Sequence, residues 1–220
     1  MDPGLLLSAH QLRVERDGRV VVQAADLALR AGEAVSLSGP SGAGKSSLVL
    51  SLARLLPSRG GELSFQGVAA AQIQPTEWRR KVCYLPQEPV AFAGTVRDNL
   101  LAPFTCRVRA EEKPPSDQAC RQGLEQAGLQ DVDLKAEAGR LSGGQTARLA
   151  LLRALLARPS VLLLDEVEAM LDTETAGRVD FLLQAFLDSG GSCLRISHRR
   201  GPDAIGRRYW LQDGILQERD

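Results

Sequence analysis

Ala34-Val-Ser-Leu-Ser38-Gly39-Pro40-Ser41-Gly42-Ala43-Gly44-Lys45-Ser46-Ser47-Leu48 is the stretch that decides the fold. Ala34–Ser38 reads as a short apolar strand. Ser46–Leu56 reads as a helix, ended by Pro57 and Gly60-Gly61. Between them lies a glycine loop whose backbone N–H groups can curl around phosphate oxygens, and the helix start adds its positive partial charge. Lys45 is spaced to reach the β- and γ-phosphates of a nucleotide, and the Ser46 hydroxyl to bind Mg²⁺. A fortuitous glycine loop would lack the strand before it and the helix after it.

Working outward, Leu5–Leu29 alternates apolar and polar residues around Asp17-Gly18, a hairpin signal. Glu62–Phe65 and Val82–Leu85 read as further strands. Ala102–Asp117 carries three prolines and reads as an irregular connection. Gln118–Ala127 and Ser142–Ala157 read as helices, the second with Leu149, Leu152, Leu155 and Leu156 on one face. Val161–Leu164 is wholly apolar, as strands of a sheet covered on both faces are. Thr173–Leu187 reads as a helix, Ser192–Ile196 as a strand, and Asp213-Gly214 as the turn of a last hairpin. Strands alternating with helices imply an α/β core. Asp165 ends the apolar strand, where open α/β sheets bind ligands, and suits Mg²⁺ as a hard oxygen ligand. Glu166 follows it as a candidate general base that polarises the attacking water.

Bulk composition narrows the classes further. A chain of 220 residues fits one large domain or a domain with a subdomain. Lys plus Arg is 27 and Asp plus Glu is 27, so formal charge is zero, which argues against a general nucleic-acid binder. Cys83, Cys106, Cys120 and Cys193 form no CxxC pair and read as ordinary thiols of a reducing compartment. No apolar run approaches the ~18 residues that span a bilayer. Met1-Asp2-Pro3-Gly4 lacks the basic start of a signal peptide. The expectation is a cytosolic chain whose membrane role comes through a partner.

Leu141-Ser142-Gly143-Gly144-Gln145 opens the second long helix. Ser142 is a good N-cap, and Gly143-Gly144 leave the helix start bare, which makes an anion site. With this pentapeptide between the glycine loop and Val161-Leu-Leu-Leu-Asp165-Glu166, the chain resembles the ATP-binding cassette (ABC) ATPases from about Leu12 to about Glu218. The resemblance implies a P-loop NTPase (RecA-like) α/β core, residues 1–86 and 159–220, with an antiparallel β subdomain. It also implies an inserted α-helical subdomain, residues 87–158, that bears the signature. ATP and Mg²⁺ are the implied cofactors. Gly39, Pro40, Ser41, Gly42, Ala43, Gly44, Lys45, Ser46 and Ser47 would hold ATP, and Ser46, Gln87 and Asp165 would hold the metal.

By the same resemblance Gln87 is the Q-loop glutamine, His198 the switch histidine contacting the γ-phosphate, and Asp172 the D-loop aspartate. Ser142, Gly143, Gly144 and Gln145 of one copy would face the glycine loop of another in a head-to-tail homodimer closed by ATP. Departures are local. Val167-Glu168-Ala169-Met170 stands where relatives often have Pro-Thr-Ser-Ala, and Ala147 replaces a common Gln while Arg148 is kept.

Gln87–Leu100 is similar to the exporter form of the Q-loop region. More narrowly, Trp78–Phe104 resembles the ATPases of small bacterial Fet-type iron exporters, in which a distinct membrane protein forms the pore. The implied protein is a peripheral subunit on the cytoplasmic face of the inner membrane. It would hydrolyse ATP for a separate integral membrane permease. The alternatives are a cell-division type mechanical ATPase coupled to a membrane protein and, more distantly, a small-molecule kinase, which would lack the signature.

The aromatic that usually stacks on adenine is replaced by Arg16, whose planar guanidinium can also stack. Competition binding should therefore find ATP and GTP within about tenfold in Kd, a difference below ~1.4 kcal/mol. A larger gap would remove Arg16 as the base contact.

Overall fold

A computed structural model describes residues 4–167, 173–196 and 206–219. The chain divides into two compact units. One comprises residues 1–84, 160–166 and 187–220, the other residues 85–159 and 167–186. Its strands are β1 (Leu5–Arg16), β2 (Arg19–Arg30), β3 (Ala34–Ser38), β4 (Ser58–Phe65), β5 (Val68–Ala69), β6 (Val82–Leu85), β7 (Val161–Asp165), β8 (Ser192–Ile196), β9 (Arg208–Gln212) and β10 (Ile215–Arg219). The α-helices are α1 (Lys45–Leu52), α2 (Pro75–Lys81), α3 (Val96–Leu101), α4 (Asp117–Gln126), α5 (Gly143–Leu156) and α6 (Thr173–Asp188).

The first unit is built on a sheet of order β5-β4-β1-β2-β10-β9-β3-β8-β7-β6. β1, β2, β4 and β5 pair antiparallel. β9, β3, β8 and β7 run parallel. The registers bring the strand ends level: Leu37 and Asp165 both lie beside Ile196. The glycine loop leaves β3 at the same edge, so the loop and the carboxylate are delivered together. All five residues of β7 are buried, as expected for a strand with no solvent face. Leu7, Leu12, Leu29, Leu37, Leu48 and Leu52 are among the fully buried side chains of the core around it.

The helix expected over Ser46–Leu56 stops at Leu52. Arg54 adopts a left-handed backbone, φ 55, and the N–H groups of Arg54 and Leu55 return to the carbonyls of Ser51 and Leu50 at 3.0 and 2.9 Å. This is a Schellman stop made without glycine, ahead of the expected stop at Pro57 and Gly60-Gly61. β4 starts at Ser58 rather than Glu62, because Ser58 and Gly60 pair with Val14 and Arg13 of β1. α2 is an element the periodicity did not give, although Pro75 at its start, Glu77 in its first turn and Arg79-Arg80-Lys81 in its last are helix-end signals. Its Trp78 is 1% exposed. The Trp78 Nε1–H donates to the Leu52 carbonyl at 2.9 Å, and its ring meets Phe65 edge-on at 6.2 Å.

The second unit gathers α3, α4, α5 and most of α6. α3 is also unanticipated. It is only six residues long and is fixed by a Thr95–Asp98 capping box, and Val96 and Arg97 donate backbone hydrogen bonds to Ala136 and Leu134. The stretch expected to be irregular holds two 3-10 turns, Ala102–Thr105 and Arg107–Arg109. Arg153 of α5 donates to Asn99 Oδ1 and to the Val90 carbonyl, both at 3.1 Å, and lies 4.2 Å from the centre of the Phe92 ring.

Among the described residues no helix is long and apolar enough to cross a membrane. Trp78→Ala should lower stability by about 3–5 kcal/mol through cavity formation and the orphaned Leu52 carbonyl. Urea denaturation with an unchanged m-value checks this, and a loss under 1 kcal/mol would contradict it.

Candidate nucleotide and metal site

The glycine loop is shaped by contacts that forbid side chains. Gly39 has φ 150, and a Cβ there would overlap the Leu211 carbonyl oxygen of β9. Gly44, φ 97, would place a Cβ 2.8 Å from the Val21 oxygen of β2. Two strands thus press on the loop and set its curvature. Lys45 is buried at 6% exposure. Its ammonium donates to the carbonyls of Gly39 and Pro40 at 3.0 Å each, so the cation lies across the mouth of the loop. Gly44 gives α1 no side-chain cap, and the first turn carries no acidic residue. The helix start is therefore left electropositive.

Asp165 comes to this loop from 119 positions away in sequence. Its Oδ1 accepts a hydrogen bond from the Ser46 hydroxyl at 3.2 Å. Its Oδ2 accepts one from the Tyr84 hydroxyl at 3.1 Å. Burial and the Asp165 carboxylate push the Tyr84 hydroxyl well above the ordinary tyrosine range, so it stays a donor. Glu166 turns off the strand in a left-handed conformation, φ 49, which is uncommon for a residue with a Cβ. It is partly buried.

A hydroxyl and a carboxylate gathered within 3.2 Å form a hard oxygen donor pair. No group of three His, Cys, Asp or Glu residues is poised for a metal among the described residues. Such a sparse set suits Mg²⁺, which keeps waters and takes the rest of its ligands from phosphate. Ser46 and Asp165 are therefore the residues that would hold it.

The signature lies in the second unit. Ser142 caps α5, accepting from the Gln145 N–H at 3.3 Å, and Gln145 Oε1 accepts from the Ser142 N–H at 2.9 Å. A Cβ on Gly143 or Gly144 would meet nothing within 4 Å. Neither glycine has a positive φ, so packing against the described residues does not call for glycine at either position. Arg148 carries the helix start: it donates to the carbonyls of Ala127, Gly128 and Gly144 at 3.0, 2.7 and 3.3 Å.

Of the expected residues, the structure brings Asp165 to Ser46 of the Gly39–Ser47 loop, and Glu166 follows Asp165 at the strand end. Arg16 ends β1, opposite Arg19 across the hairpin, with its Nε 3.8 Å from Asp17 in an exposed pair. Gln87 is an exposed residue of the second unit, as are Ser142 and Gly143. His198 and Asp172 lie outside the described residues. Sequence reasoning missed Tyr84 and the structural use of Arg148. The one signal for Tyr84 was a hydroxyl in an otherwise apolar strand three residues before Gln87.

Loop, lysine and strand-end carboxylate define a nucleoside-triphosphate site on a P-loop NTPase core. Residues 22–169 match the family described as ABC transporter, and the chain belongs to that family. It is 36% identical over 162 residues to the probable iron export ATP-binding protein FetA of Escherichia coli, covering 74% of this chain and 70% of that one. It is 34% identical over 194 residues to the ATP-dependent lipid A-core flippase of Ralstonia nicotianae, and there spans only 32% of the relative's length.

Among solved structures, a bacterial Atm1-family ABC exporter with ATP bound superposes with TM-score 0.83 at 24% identity, over 97% of this chain and 38% of that one. An ATP-binding subunit of an ABC transporter superposes with TM-score 0.82 at 22% identity, over 96% and 89%. These two likenesses speak to the fold.

Lys45→Ala removes the cation at the loop mouth. Charged hydrogen bonds of this kind contribute ~1.5–3 kcal/mol, so ATP affinity by calorimetry should fall by about 10- to 100-fold. Unchanged affinity would contradict the assignment.

Proposed function

We propose that this chain is the ATP-hydrolysing subunit of an exporter-type ABC transporter, working as a head-to-tail pair of copies on a separate membrane-embedded permease. Two anion-type sites on one chain carry the reading. The glycine loop is one. The other is the Ser142-capped start of α5, whose glycines meet none of the described residues at the Cβ position. A second copy turned to face the first brings one site of each kind to the same γ-phosphate. Residues 87–158 act as the piece that presents the signature.

In this mechanism the loop N–H groups and Lys45 bind and orient the phosphates. Ser46 and Asp165 would hold Mg²⁺, which would supply positive charge to offset that of the phosphates. Glu166 accepts a proton from the attacking water. Gln87, His198 and Asp172 keep the roles the family resemblance gives them, and Arg16 supports the base. ATP favours the closed pair, and loss of the γ-phosphate lets the copies part. The exporter relatives, the FetA protein first among them, support outward transport and make a metal ion such as iron the first cargo to test. The expected place is the cytoplasmic face of the membrane, through the permease.

Glu166→Gln should bind ATP yet slow free-phosphate release by about 10²- to 10⁴-fold, and light scattering should show an ATP-dependent dimer. Adding Ser142→Arg to Glu166→Gln should abolish the dimer while ATP still binds. Full turnover in Glu166→Gln would remove Glu166 as the base, and a dimer that survives Ser142→Arg would sink the head-to-tail arrangement.

A further inference from the structure

Tyr84 places a hydroxyl on Asp165 that the mechanism above does not use. It sits on β6, the neighbour of β7 in the sheet. The strand's burial alternates irregularly: Val82 and Leu85 are buried and Tyr84 is half-buried. Its ring packs against the main core cluster, so the side chain has an apolar anchor and a polar tip. That tip meets Asp165 Oδ2 at 3.1 Å, while Ser46 takes Oδ1 at 3.2 Å.

The two hydroxyls are not equivalent. Ser46 belongs to the phosphate loop, and its oxygen is wanted by the metal as well as by Asp165. Tyr84 stands on a sheet strand, outside the loop. Asp165 is 4% exposed, and a buried carboxylate oxygen without a donor is costly. A donor on Oδ2 that does not depend on nucleotide fixes the plane of the carboxylate and leaves the Oδ1 side directed at Ser46.

We infer that Tyr84 is a positioning residue for the metal site, orienting the Asp165 carboxylate so that Mg²⁺ binds with nucleotide. The inference rests on the ATPase reading and deepens it. Partners that orient a metal ligand typically change metal affinity by about 10- to 100-fold when removed. The effect belongs to the metal and not to the phosphates, which the loop and Lys45 hold.

The test uses Tyr84→Phe, which keeps the ring and deletes the hydroxyl. Calorimetry measures the affinity of the full chain for a non-hydrolysable ATP analogue in EDTA and in a Mg²⁺ series. The wild-type chain should bind more tightly with Mg²⁺. Tyr84→Phe should match wild type in EDTA but need about tenfold or more Mg²⁺ for half of the enhancement. Asp165→Asn should lose the enhancement, and adding Tyr84→Phe to it should change nothing further.

Full Mg²⁺ enhancement in Tyr84→Phe would overturn the positioning role while leaving the ATPase reading intact. Equal loss in EDTA and in Mg²⁺ would overturn it too, as damage to the fold. Absence of any Mg²⁺ enhancement in the wild-type chain would instead overturn the reading on which the inference rests.

Discussion

A buried carboxylate at the end of an apolar strand is the constraint on which the site depends. Asp165 is 4% exposed and follows four buried aliphatic residues. Placing that charge there is expensive unless each oxygen finds a donor. The donors come from two directions, Ser46 at the start of α1 and Tyr84 on β6. Satisfying one carboxylate therefore ties the phosphate loop to the sheet, and Lys45 completes the loop from inside by holding its carbonyls. The level ends of β3, β7 and β8 make this junction possible.

The second unit solves a different problem. Its signature helix begins at a serine cap followed by two glycines. Ser142 and Gln145 answer each other's backbone, and Arg148 fastens the first turn to the carbonyls that close α4. Rigidity is thus supplied from behind and leaves Gly143 and Gly144 uncovered by the described residues. On the proposed reading, this capped helix start is the surface that a second copy's nucleotide would meet.

The sequence made much of this visible, for physical reasons. The glycine loop, the apolar strand with its acidic end and the signature are contiguous, so their chemistry is written in adjacent residues. Val161–Leu164 announces a doubly covered strand because every residue is aliphatic. What stayed hidden depends on distance or on local geometry that composition does not mark. Tyr84 and Asp165 are 81 positions apart, and only strand order brings them together. The stop of α1 uses Arg54 in a left-handed conformation where glycine is the usual signal. α2 and α3 are seven and six residues long, too short for periodicity to rise above their neighbours.

The most direct measurement is a crystal structure of Glu166→Gln with ATP and Mg²⁺. Two copies should lie head to tail, with the β- and γ-phosphates on Lys45 and the loop. The metal should lie at Ser46 and Asp165, and Ser142 of the second copy at the γ-phosphate. Nucleotide bound away from Lys45, or a γ-phosphate enclosed by a single copy alone, would contradict it.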